Sequence, residues 1–176
     1  MKKTNSKACP MCSKTHSYGL EAAMKIQAAT YGKLQRLIKG LKSQQLAFRS
    51  AEGKWSIREI VTHLADAELV YGFRYRKILA EDAAEAPAFD QELWAGHLSY
   101  RQRDLNSALE MFRAVRQNNL DLMRLTPKKN WQRAGTHPAY GRLTFTQLVS
   151  HLAVHDLNHL EQIRQIRQEM QASAKG

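Results

Sequence analysis

The sequence predicts an all-α fold: a four-helix bundle with a short helical or looped insertion between its second and third helices. Three observations carry this expectation. Four long segments repeat apolar residues at helical spacing. Two of those segments open on a capping box. The 176 residues include only 9 glycines and 4 prolines, which leaves little room for a turn-rich β architecture.

The first helix is expected from about Leu20 to Leu41, with Met24, Ala28, Tyr31, Leu34, Ile38 and Leu41 as its inward stripe. The second opens at Ser56-Ile57-Arg58-Glu59, where serine and glutamate side chains can each take the other's backbone amide. Trp55 and Ile60 supply the hydrophobic staple. The stripe runs on through His63, Leu64, Ala67, Tyr71, Tyr75 and Ile78. The third helix is expected over Ser99 to Leu125, with Leu105, Ala108, Phe112, Val115, Leu120 and Met123 inside and Pro127 as its stop. The last starts at the box Thr144-Phe145-Thr146-Gln147 and carries Leu148, His151, Leu152, His155, His159, Ile163, Ile166 and Met170 on one face. Four such stripes bury best against one another. Two long linkers remain, Glu81 to Leu98 and Lys128 to Leu143. The first holds Phe89, Asp90, Leu93, Trp94 and His97 and is expected to cap one end of the bundle.

Composition narrows the class. The chain is 43% hydrophobic and 24% charged, values of a globular protein. No run approaches the roughly 18 apolar residues of a membrane span, and no secretory core stands at the start. A cytoplasmic protein that engages no membrane is the expectation. The net charge of +11 is spread over helix faces among acidic residues, so no specific nucleic-acid site is expected. Residues 1–19 read as a flexible basic extension, 20–171 as the bundle and 172–176 as a frayed tail, with Met24 an alternative start. Cys9, Cys12 and His16 in the extension are three candidate ligands for a second zinc, of which C-x-x-C is half a site.

Chemistry concentrates on histidines. His151, His155 and His159 lie four residues apart, so they drift about 40° per step and form one row on the helix. That row falls on the apolar stripe, where three imidazoles need polar partners and one cation satisfies them together. His63 interrupts the stripe of the second helix in the same way. His151 reads as a ligand, a hydrogen-bonding partner of a ligand, or plain core. Asp66, Glu59, Asp156, Asn158 and Gln162 are spaced to orient an imidazole, Gln162 foremost. Asp90 is a candidate general base if its linker folds over the site. Trp94 and Tyr100 are candidates to line a pocket there, and Arg101 or Arg103 to hold an acidic cosubstrate. His97 and His137 are expected to be exposed in linkers.

These residues resemble a family. Trp55-Ser56-Ile57-Arg58-Glu59-Ile60-Val61-Thr62-His63-Leu64-Ala65-Asp66 looks like the second-helix signature of the DinB/YfiT-like superfamily. Phe89-Asp90-Gln91-Glu92-Leu93-Trp94-Ala95 resembles the linker of one branch. Gly141-Arg142-Leu143-Thr144, followed by His155-Asp156-Leu157-Asn158-His159-Leu160-Glu161-Gln162-Ile163, is similar to its last helix. The resemblance implies one divalent ion, zinc or nickel first and iron or manganese next, held by His63, His155 and His159. It also implies a small-molecule substrate, a low-molecular-weight thiol among the options, and a hydrolase or thiol-dependent S-transferase using a metal-bound water or thiolate. A homodimer is expected. The competing expectation is a non-catalytic metal-binding stress-response protein. A zinc protease is a poor fit, because Asp156 replaces the longer glutamate of H-E-x-x-H. A di-iron site fails, because no glutamate stands three residues before a histidine.

Overall fold

The computed structural model describes residues 18–173, so Cys9, Cys12 and His16 fall outside the described residues. Four long helices form the frame: α1 (Leu20–Ile38), α3 (Ile57–Ala80), α5 (Leu105–Leu125) and α6 (Phe145–Ser173). Between them lie the short helices α2 (Ser43–Leu46) and α4 (Gln91–His97) and a hairpin of strands β1 (Ala134–His137) and β2 (Gly141–Thr144). Among the described residues no helix is long and apolar enough to cross a membrane.

Local chemistry sets the boundaries. The Glu59 amide donates to Ser56 Oγ at 3.3 Å, and the Ser56 amide donates back to Glu59 Oε2 at 2.9 Å. The Thr144–Gln147 pair is equally reciprocal, at 3.1 and 2.8 Å. The third long helix starts later than Ser99. Ser99 takes a left-handed φ of 54°, and Asp104 accepts the Ser107 amide at 2.8 Å as the true cap. The hairpin, with Ala134 opposite Thr144 and His137 opposite Gly141, departs from an all-α chain, as does the single bridge between Glu85 and Thr136. It joins the first linker to the bundle, since the Thr136 amide donates to Ala84 O and the Ala86 amide to Thr136 O, both at 2.9 Å. Gly135 permits that approach, because a Cβ there would stand 2.7 Å from the Ala84 carbonyl oxygen.

Packing reveals the topology. α1 contacts α6 and α5, and α3 contacts α5 and α6, so α1 and α3 face each other diagonally. One apolar cluster joins the start of α1 and α6 to the end of α3 and α5, through Leu20, Tyr75, Met123 and Phe145. The other joins the opposite ends, through Leu34, Ile60, Phe112 and Ile163. Therefore α1 and α6 run one way, and α3 and α5 run the other. Parallel neighbours need a connection as long as the bundle. The linker carrying α4 consequently runs along the flank instead of capping one end, starting at Ala84 in the first cluster and reaching Ala95 against the second.

A polar layer separates the two clusters. Arg116 of α5, 3% exposed, donates to Glu68 of α3 at 2.8 Å, to Asp156 of α6 at 2.7 and 3.1 Å, and to the Gln27 carbonyl of α1 at 2.7 Å. Thr30 Oγ1 donates to Asp156 at 2.8 Å and Asn119 Nδ2 to Glu68 Oε1 at 2.8 Å. Burial works against the guanidinium's charge, yet Asp156 and Glu68 hold its pKa above the ordinary value. This layer corrects the expected face of α1: Leu20, Ala23, Gln27, Thr30 and Leu34 are buried, whereas Ala28 is exposed. Gln27 and Thr30 turn inward because partners await them. Replacing Arg116 with Met should destabilise the fold by about 3–5 kcal/mol, since two buried carboxylates lose their counter-charge. A urea midpoint unchanged from the parent protein contradicts this.

Candidate metal centre

The centre lies on the α3–α6 seam. The α3 capping box begins a helix whose second turn points His63 inward, fully buried. Asp156, locked to Arg116, fixes the rotation of α6 so that the flanking His155 and His159 face His63. His63 Nε2 stands 2.8 Å from His155 Nε2, and His159 Nε2 stands 3.2 Å from His155 Nε2. One ligand atom from each of the three lies within 4.8 Å of the others. Three nitrogens bound tetrahedrally to one zinc at 2.0–2.1 Å would stand roughly 3.3 Å apart, close to the two separations that His155 makes.

The donor set fits a cation better than it fits itself. His155 Nε2 faces two other ring nitrogens, and one proton can bridge only one of those gaps. Burial pushes all three imidazoles toward the neutral form, His63 and His155 well below the ordinary range, with His159 as the next cause for both. Neutral imidazole is the form that ligates. His159 Nδ1 pairs with Gln162 Oε1 at 3.0 Å, the orienting contact expected from spacing. His63 Nδ1 and His155 Nδ1 are buried without a hydrogen-bond partner. Aromatic rings wall the site: Trp55 lies 4.9 Å from His63 and stacks on His159 at 6.3 Å, and Phe89 of the flank linker stacks on His63 at 6.2 Å.

Other candidates have different occupations. His151 stays outside the cluster; its Nδ1 meets the Tyr71 hydroxyl at 2.9 Å. Asp66 is buried but takes Arg103 at 3.1 Å, so it does not orient His63. Glu59 is held by its capping box and by Arg49. Asp90 is exposed, and its Oδ1 accepts the Glu92 and Leu93 amides at 2.9 and 3.0 Å, capping α4 instead of facing the histidines. Trp94 packs on Phe89, and Tyr100 edge-on against Trp55. His97 is exposed as expected, whereas His137 is 4% exposed, because the hairpin folds it against Tyr140 and Arg74. The sequence reading missed Glu68, Arg74 and Arg116. Their signal was position: Arg116 sits between Phe112 and Leu120, four residues from each, on the inward face of α5.

Known proteins share this architecture. The family model of the DinB superfamily matches residues 28–163. A candidate metal-dependent hydrolase of Oceanobacillus iheyensis is 28% identical over 143 residues, 78% of this chain and 80% of that protein. YfiT of Bacillus subtilis, named as a candidate metal-dependent hydrolase, is 22% identical over 139 residues, 78% of each chain. Its solved structure, described as a four-helix bundle of unusual topology, aligns with a TM-score of 0.78 over 86% of this chain and 87% of that one. A mycothiol-dependent maleylpyruvate isomerase aligns with a TM-score of 0.65 at 11% identity, over 82% of this chain and 60% of that one.

Two outcomes follow from the geometry. Gln162→Leu should weaken zinc binding about 10–100-fold by freeing the His159 ring, and competition titration against a chromogenic chelator measures it. Burial also lowers the His151 pKa to about 4. Unfolded histidines titrate near pH 6.5, so below that value the unfolded chain takes up protons that buried His63, His151 and His155 refuse. Metal-free protein should therefore lose stability as pH falls from about 6.5 toward 4, read as a falling urea midpoint; a flat midpoint across that window contradicts it.

Proposed function

The chain belongs to the DinB superfamily, and from that premise we propose that it is a metal-dependent hydrolase of a small molecule, with His63, His155 and His159 as its metal ligands. The convergence of three buried imidazole nitrogens within 4.8 Å supports this reading most directly. The names of its sequence relatives, metal-dependent hydrolase candidates, point the same way. A divalent ion held by three protein groups keeps an open position and supplies Lewis acidity that lowers the pKa of a water or thiol placed there.

The chain's own residues provide the setting. Gln162 holds the His159 ring in one orientation. Trp55 and Phe89 exclude bulk water from one side, which strengthens electrostatic interactions within the site. Arg116, through Asp156, keeps α6 in the rotation that delivers two histidines together. The reading takes zinc or nickel as the ion, on the chemistry of an all-imidazole donor set.

Metal analysis of untagged protein, followed by assays on a panel of activated esters and amides with and without added thiol, tests the reading. About one divalent ion per chain is expected, with turnover lost on chelation and restored by zinc or nickel. His155→Ala should bind the ion about 100-fold or more weakly and lose turnover in step. Full metal content in H155A refutes the ligand set. Turnover that survives metal removal refutes the chemistry. A strict thiol requirement replaces hydrolysis with thiol transfer at the same centre. Stoichiometric metal with no turnover on any of the panel favours a non-catalytic metal-binding protein.

A further inference from the structure

Arg74 of α3 is 4% exposed, yet no carboxylate of the described residues lies within ion-pair distance of it. Residues 1–17 contain neither Asp nor Glu to supply one. Its Nε donates to the Pro87 carbonyl at 2.9 Å, and its Cζ lies 4.9 Å from the Tyr71 ring centroid and 5.9 Å from that of Phe89. The Tyr71 hydroxyl is a further, uncharged neighbour. A guanidinium keeps its charge, and burying a charge with no counter-charge is strongly unfavourable. Every other buried arginine or carboxylate among the described residues has an opposite charge beside it: Arg116, Glu59, Asp66, Glu68 and Asp156.

His137 sharpens the anomaly. The Ala139 amide donates to His137 Nδ1 at 3.1 Å, so the neutral ring carries its proton on Nε2. That Nε2–H faces Arg74 Nη2 at 3.4 Å. Both groups are donors. Nη2 has the Pro87 carbonyl as one acceptor at 2.5 Å, whereas its contact with the His137 Nε2–H sets donor against donor. Burial, with Arg74 beside it, keeps this imidazole neutral. Tyr140 stacks on His137 at 4.4 Å, and half-buried Tyr140 and Phe89 lie over the pair.

We propose that Arg74 and His137 form a carboxylate-binding subsite that anchors a small carboxylate-bearing substrate beside the metal centre. A single anionic group answers both donors at once. The site holds one positive charge, which a carboxylate neutralises; a phosphate dianion would leave buried negative charge in excess. The subsite adjoins the centre through one side chain, since Phe89 contacts His63 at 6.2 Å and Arg74 at 5.9 Å. His151, one turn before His155 on α6, is hydrogen-bonded at 2.9 Å to Tyr71, whose ring lies under Arg74 at 4.9 Å. A substrate that engages both sites therefore reaches past the Phe89 ring, whose centroid lies 6.2 Å from that of His63 and 5.9 Å from Arg74 Cζ. The anion site stands on its own geometry; its use as a substrate anchor rests on the metal-dependent reading above.

Full-length protein, metal-free and zinc-loaded, is titrated with sodium benzoate and separately with inorganic phosphate, following the Ala139 amide and His137 ring signals by NMR. Benzoate should shift both saturably in each form of the protein. Arg74→Gln should weaken that binding by about tenfold or more, as loss of a charge-assisted pair does. If R74Q does not fold, His137→Phe, followed at Ala139, puts the same question by removing the second donor. No saturable shift, equal affinity in the variants, or tighter binding of phosphate than benzoate overturns the proposal. Benzoate binding by a protein that takes up no zinc when zinc is supplied would sink only the reading of the centre. Metal-dependent turnover without any benzoate binding would sink this proposal alone.

Discussion

One guanidinium holds the bundle in register. Arg116 reaches α1, α3 and α6 from α5, so all four long helices meet at a single group. The apolar clusters above and below it are tolerant of small slips, as packed hydrocarbon generally is. A buried ionic layer is not, because displacement by one helical turn leaves charges without partners. The site inherits that intolerance. Asp156 takes Arg116 while the residue before it and the residue three after it present their imidazoles to His63. The same layer carries two carboxylates against one guanidinium, so excess negative charge lies buried beside the place where a cation would bind.

The parallel arrangement of α3 and α5 has an equally direct consequence. It obliges the chain to cross the length of the bundle between them, and that crossing lays Phe89 on His63 and Pro87 on Arg74. The hairpin ahead of α6 then pairs with the same linker and buries His137. Two connections that look like simple spacers thus build the walls of the centre and the donor pair next to it.

Much of this was legible in the chain. The capping boxes placed the starts of α3 and α6, and the histidine spacing picked out the three imidazoles that converge. What escaped was polarity turned inward. Gln27 and Thr30 belong to the buried face of α1, but nothing in that helix alone says so; their partners are on α5 and α6. Periodicity scored by hydrophobicity rotates such a helix toward Ala28. Asp66 and Asp90 misled for the opposite reason. Their spacing suited service to the histidines, but Arg103 and the amides of α4 lie closer to hand. Arg74 and Arg116 stood on the inward stripes of their helices, and a charge at such a position is itself the signal.

The pairing of α1 with α6 binds the two ends of the described chain to each other. During synthesis on the ribosome, Leu20–Ile38 emerges more than a hundred residues before the helix that covers it. Until Asp156 appears, Arg116 has Glu68 as its single buried counter-charge and Thr30 has no acceptor from α6. The nascent chain must therefore carry an open apolar face until translation is nearly finished, and a truncated product lacking the last helix is a natural client for chaperones or proteases.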